Sequence, residues 1–233
     1  AKGFKKCAII SSYTPQAGDL RTDTVSDEED TETFEKYNTY LKMIGVDPKA
    51  DNSQIAGKVA EFITAMEETS VSACAKHFPG HGDTAMDSHL GETYVEHDME
   101  RLRSVEFVPF EQAITAGTDF IMAGHIKTPN ATADGLPATL SAEMLGILRN
   151  ELNFKGIIIT DAMNMGAIVD AYGSGESAVM AVQAGVDIVL MPADLAEAAE
   201  ALTSAIEKGD ISKERVDEAL WHILSLKYDK GIL

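Results

Sequence analysis

Between Lys76 and His89 the chain reads Lys-His-Phe-Pro-Gly-His-Gly-Asp-Thr-Ala-Met-Asp-Ser-His, a run holding one lysine, three histidines and two aspartates. So many titratable groups in one short stretch suit a common point of chemistry, and two kinds fit. His81, Asp83, Asp87 and His89 have spacings compatible with a metal site, because imidazole and carboxylate suit zinc or a similar ion. Alternatively, Asp87 and His89 form a dyad, since residues two apart in an extended segment project to the same side. The carboxylate would then orient the imidazole and raise its basicity, making a general acid and base. Gly80, Gly82 and Gly91 flank the cluster and suit a loop that closes over a ligand. A structural alternative, in which the histidines only brace the loop, stands beside both.

Other residues extend the pattern. Asp161 follows the apolar run Ile157-Ile158-Ile159-Thr160. A carboxylate leaving a buried strand is costly to bury unpaired, so it faces a cleft or caps the next helix. Met163 and Met165 read as core or pocket wall. His125 ends Ile121-Met122-Ala123-Gly124 and either lines a pocket or makes structural hydrogen bonds. Asp187 reads as structural.

The elements that must position these groups are strands and helices in alternation. Cys7–Ser11, Val71–Lys76, Phe120–His125, Gly156–Asp161 and Val186–Met191 are nearly continuous apolar runs, as expected of parallel strands covered on both faces. Amphipathic stretches separate them: Asn52–Glu68, Arg101–Ala116, Ser141–Leu152, Ser174–Ala184 and Asp194–Glu207. A last helix, Ser212–Lys230, starts at an N-cap serine. This order predicts an α/β fold with a parallel sheet. Lys76-His77, His125 and Asp161 all fall at the C-terminal ends of strands, the rim where α/β enzymes assemble their sites. The acidic segment Ser12–Lys42 reads as a loop followed by a helix from Glu32 to Met43, or as partly disordered. With no repeat and no linker-like stretch, residues 1–233 read as a single domain.

Composition narrows the function further. The chain has 233 residues, 45% hydrophobic, enough for a substantial core. A net charge of −19, from 19 basic against 38 acidic residues, argues against a nucleic-acid partner. Cys7 and Cys74 lie in apolar runs and read as buried free thiols. No apolar stretch approaches the roughly 18 residues of a membrane span. The N-terminus has neither an initiator Met nor a signal-peptide core, which reads as a processed or trimmed chain. Both a cytoplasmic enzyme and an exported one with its leader removed fit that reading.

Lys76–His89 resembles the signature K-H-F-P-G-H-G-D-T-x-x-D-S-H of the glycoside hydrolase family 3 β-N-acetylhexosaminidases, matching at every specified position. Phe120–Ile126, Leu136–Ser141, Leu148–Met165, Ala184–Pro192 and Val216–Leu233 resemble the same family in the same order, so residues 47–233 are family-like and residues 1–46 divergent. The resemblance implies a (β/α)8 TIM-barrel-like catalytic domain. It also implies retaining removal of terminal β-linked N-acetylglucosamine from a glycan or muropeptide, with bacterial peptidoglycan recycling as one setting. Asp161 would be the nucleophile, and Asp87 with His89 the acid/base dyad. Lys76 and His77 would bind substrate hydroxyls, and His125 and Met163 are further candidates for contacts with substrate. No cofactor and no metal are implied.

Two features of the family have no counterpart, the D-Q-E-G-G strand end and the arginine of I-G-x-R-S-F-G; Met43-Ile44-Gly45-Val46-Asp47 lies where the latter belongs. The expectation is therefore a barrel incomplete or rearranged at its N-terminal side, with an open edge suited to self-association. Two alternatives to the hydrolase follow: a catalytically impaired sugar-binding remnant, and a phosphorylase using the same dyad.

Overall fold

A computed structural model describes residues 7–11, 52–69, 71–81 and 92–233. The segment Ser12–Lys42 and the residues Asp83, Asp87 and His89 lie outside the described residues. Strand β1 (Cys7–Ser11), β2 (Ser72–Phe78), β4 (Phe120–Ala123) and β6 (Ile157–Thr160) form one parallel sheet in the order β1-β2-β4-β6. Two short strands, β3 (Thr93–Tyr94) and β5 (Ile126–Lys127), pair in parallel beside it. The sequence predicts an α/β, TIM-barrel-like fold that is incomplete or rearranged at its N-terminal side; the described residues are α/β with parallel sheets and do not form a full barrel.

Four of the five expected strands are present. The fifth, Val186–Met191, makes only a single parallel bridge, Ile188 to Ile159. Its backbone leaves the ladder because Leu190 N–H donates to the Thr160 hydroxyl, 2.8 Å away, rather than to a strand carbonyl. Met191 then turns into the left-handed region at φ 48° and ends the run.

The helices follow the expected stretches, with two corrections. Helix α1 spans Asn52–Glu67. The expected helix Arg101–Ala116 is broken: a wide π turn, Leu102–Glu106, precedes α2 (Val108–Thr115). Phe107 N–H reaches back to Leu102 O at 2.8 Å, and Pro109, which has no N–H to donate, begins a fresh helix. Likewise α3 (Ala142–Gly146) opens into a π turn over Ile147–Glu151. Helix α4 (Ser174–Ala184) stops at Gly185, whose φ of 118° suits glycine alone. Asp194 caps α5 (Leu195–Lys208) through the N–H groups of Ala196 and Glu197. Ser212 caps α6 (Lys213–Asp229) through that of Arg215. No helix among the described residues is long and apolar enough to cross a membrane.

One face of the sheet packs on α1 to α4, where Ile63, Phe110, Met144 and Ala181 join Phe78, Ile121 and Ile158 in a single core. Phe78 stacks on Phe107 at 5.4 Å and meets Phe110 edge-on at 5.2 Å. On the other face Cys74, Phe120, Met122 and Ile157 are covered by Ile223 and Leu226 of α6. Cys74 is buried, as its apolar setting implied.

Helix α6 is tied down by a buried charge cluster. The Asp187 carboxylate is fully buried and accepts from Arg149, from Arg215 Nη2 at 2.8 Å and from Ile158 N–H at 2.9 Å; His222 Nδ1 lies 3.1 Å from it. Burial pushes the carboxyl up, but the bonds from His222, Arg149 and Arg215 outweigh it and hold it below its ordinary value. Removing Asp187 leaves the largely buried Arg149 without its carboxylate partner and Arg215 with Glu218 alone. Asp187→Ala should cost about 3–5 kcal/mol, read from the urea midpoint. A loss under about 1 kcal/mol would contradict this account of the cluster.

Candidate active site

The sheet register brings the candidate residues to one level. Phe78 pairs with Ala123, and Ala123 with Thr160, so the three strands end side by side. Asp161 is the next residue, and its N–H donates to Ala123 O at 2.9 Å. In β2 the register slips between Lys76 and Phe78, and His77 is the residue left out of the pairing. Such a bulge re-aims a side chain at a sheet rim. Phe78, fully buried in the core, anchors the bulge from the next position. The peptide bonds Lys76–His77 and Phe78–Pro79 are both cis. Gly124 makes room for the result, because a Cβ there would sit 3.1 Å from the His77 Cβ.

The outcome is a contact between two strand ends: His77 Nε2 lies 3.3 Å from Asp161 Oδ2, both side chains about one-sixth exposed. The other carboxylate oxygen, Oδ1, accepts the N–H of Ala162 at 2.8 Å. Of the two readings of Asp161, the capping role falls away, since Met165 occupies the N-cap of the following helical turn, Gly166–Val169. Burial lowers the His77 imidazole to about 4; the neighbouring Asp161 opposes the shift, while Lys76, His81 and His125 reinforce it. At neutral pH the imidazole is therefore uncharged, and its 3.3 Å approach to Asp161 is not an ion pair. His81 stands beside it, with ring centroids 5.5 Å apart. Lys76, half-buried, is on the same strand end.

His125 and Met163 lie deeper. Both are only 1% exposed. The ring nitrogens of His125 are engaged by Thr139 Oγ1 at 2.9 Å and Ala162 O at 3.0 Å, so a bond to a ligand requires one of these to be given up. Met163 packs in the main core and donates its N–H to Leu190 O. In the sequence Thr139 is one hydroxyl in a loop, and only the fold brings it to His125. Of the residues that suggested a metal site, His81 alone is described, and the described residues contain no cluster of three or more metal-ligating side chains.

The model of the glycosyl hydrolase family 3 N-terminal domain matches residues 44–226. The chain belongs to glycoside hydrolase family 3. It is 31% identical over 207 residues to Beta-hexosaminidase A of Pseudoalteromonas piscicida, an alignment covering 79% of this chain and 35% of that protein. Among solved structures it resembles a family 3 beta-N-acetylglucosaminidase from Paenibacillus sp. str. FPU-7, with a TM-score of 0.74 and 41% identity over 76% of this chain and 35% of the other. It also resembles the beta-glucoside phosphorylase BglX bound to 2FGlc, at a TM-score of 0.74 and 26% identity, covering 78% of this chain and 34% of that one. The chain thus spans about a third of the length of these relatives.

The depressed His77 has a consequence for stability. Its folded value lies below the ordinary histidine value of 6.5, so the unfolded chain binds the proton first as pH falls. The contribution of His77 is full above 6.5 and is lost as pH drops towards about 4. The His77 ring signals in an NMR titration should remain those of the neutral form until pH is near 4, and His77→Gln should flatten the decline in stability between 6.5 and 4. Titration of this ring near 6.5 would contradict the burial argument.

Proposed function

We propose that this chain is a retaining glycosidase that removes terminal β-linked N-acetylglucosamine, with Asp161 as nucleophile and His89, oriented by Asp87, as acid and base. The observation that supports it most is the Asp161 carboxylate at a strand end, fixed by Ala162 N–H and His77 within a family 3 domain. In this reading the four parallel strands are an arc of a (β/α)8-type barrel, and residues 1–233 act as one catalytic domain. The names of the relatives, a beta-hexosaminidase and a beta-N-acetylglucosaminidase, support the choice of sugar.

Asp161 attacks the anomeric carbon while the glycosidic C–O bond breaks, its electron pair leaving with the oxygen that His89 protonates. In the second half His89 takes a proton from water, whose oxygen attacks the same carbon, and the bond to Asp161 breaks to regenerate the carboxylate. Lys76 and His77 contact sugar hydroxyls. His77 is suited to this because a neutral imidazole can donate through one ring nitrogen and accept through the other. The substrate is a glycan or muropeptide that ends in this sugar.

Release of nitrophenol from an aryl β-N-acetylglucosaminide tests the assignment. Asp161→Ala should reduce turnover by at least about 10³-fold, and His89→Ala by about 10²–10⁴-fold, less for leaving groups of low pKa. Turnover insensitive to Asp161→Ala would remove it as nucleophile; no turnover in folded wild type, with sugar binding retained, would leave the remnant. The similarity to a beta-glucoside phosphorylase favours one second reading, in which phosphate resolves the intermediate. That reading requires turnover to rise with added phosphate and to yield a sugar phosphate. Self-association belongs to the proposal too, since β1 has one strand neighbour among the described residues. Light scattering should give a dimer or larger species, and a monomer would remove this part.

A further inference from the structure

Asp161 is held by more than its own side-chain contacts. Its N–H is bonded to Ala123 O, and the Ala162 N–H is bonded to its Oδ1. The carbonyl of Ala162 lies 3.0 Å from His125 Nε2. A carbonyl can only accept, so Nε2 carries the hydrogen and donates it. The other ring nitrogen meets Thr139 Oγ1 at 2.9 Å, and that hydroxyl lies 2.7 Å from Gly124 O and 3.2 Å from Ala123 O. Thr139 N–H also donates to Gly124 O, at 3.2 Å. The ring is therefore clamped between the Ala138–Leu140 turn beyond β5 and the turn that follows β6. Ala123 O is the acceptor for Asp161 N–H and sits beside the same Thr139 hydroxyl, so the pair brackets Asp161 from both sides along the chain. His125 is 1% exposed and Thr139 fully buried, and neither has room to move independently.

We propose that His125, together with Thr139, is a positioning residue that fixes the Asp161–Ala162 turn and thereby sets the direction of the Asp161 carboxylate. The inference rests on the reading of Asp161 as the nucleophile. Ala162 O belongs to the rigid peptide it shares with Met163 N–H, itself bonded to Leu190 O. Losing the bond to His125 frees rotation about the Ala162 backbone, and Ala162 is the residue whose N–H holds Oδ1. A carboxylate freed at Oδ1 can swing away from His77 and from the line of attack. Misplacement by about 1 Å is enough to lower turnover about 100-fold.

His125→Phe removes both ring hydrogen bonds while keeping a flat ring. It should lower kcat on the aryl N-acetylglucosaminide about 100-fold while KM changes less than about twofold. His125→Gln, which keeps an N–H that can reach Ala162 O, should recover about tenfold of that loss. Thr139→Val supplies a milder variant of the same kind should His125→Phe fail to fold. Crystal structures of the variants give a readout independent of activity: the Asp161 Oδ2 to His77 Nε2 separation, 3.3 Å here, should open beyond hydrogen-bond range in His125→Phe or Thr139→Val. An unmoved carboxylate overturns the proposal whatever the kinetics, and so does a raised KM with intact kcat, which marks direct ligand contact. If wild type shows no turnover yet the carboxylate swings in the variants, positioning stands and the hydrolase reading falls.

Discussion

Asp161 N–H donates to Ala123 O across 2.9 Å, the last hydrogen bond between β4 and the chain that continues from β6. Because Ala123 is also the register partner of Phe78, the rung that ends this pairing sets three strand ends to one height. A parallel sheet has side chains of period two, so a slip of one residue would turn His77 or Asp161 to the opposite face. Phe78, locked between Phe107 and Phe110, guards the register on the β2 side. Apolar packing below the rim and one peptide bond above it thus account for a histidine and a carboxylate from different strands lying 3.3 Å apart.

Two aspartates near strand ends sit in contrasting surroundings. Asp187 is wholly buried and meets Arg149, Arg215, His222 and the Ile158 N–H. A carboxylate has about four acceptor sites, and four partners of this kind use them for holding α6 and the sheet together. Asp161 keeps some exposure, and its described partners are a backbone N–H and a neutral imidazole at 3.3 Å. Fewer partners hold it than hold Asp187, which suits the proposed role of forming and releasing a bond to carbon.

Much of this was legible in the residues. Four apolar runs became strands because continuous Ile, Val and Ala stretches have no other place than a doubly covered sheet. Asp194 and Ser212 marked helix starts correctly, since a side-chain oxygen there satisfies an N–H that the helix cannot. Asp161 and His77 stood out as titratable residues beside apolar runs, and the fold unites them. The fifth strand was misread because Val186–Met191 has the composition of a strand, while its departure from the ladder depends on the hydroxyl of Thr160 in another segment. The π turns arise where tertiary packing must fit an added residue ahead of Pro109 or after Gly146, a demand no local pattern carries. The Arg149–Asp187–Arg215 cluster joins residues far apart in sequence, and spacing gave no sign of it.

The central claim is that Asp161, held at the strand rim, forms a covalent bond to the anomeric carbon. The most direct measurement is the mass of the intact protein, followed by peptide mapping, after incubation with a fluorinated N-acetylglucosaminyl donor that slows release of the intermediate. The account predicts a single added glycosyl group on the peptide that contains Asp161. An adduct on another carboxylate, or none while the donor is being consumed, would contradict it.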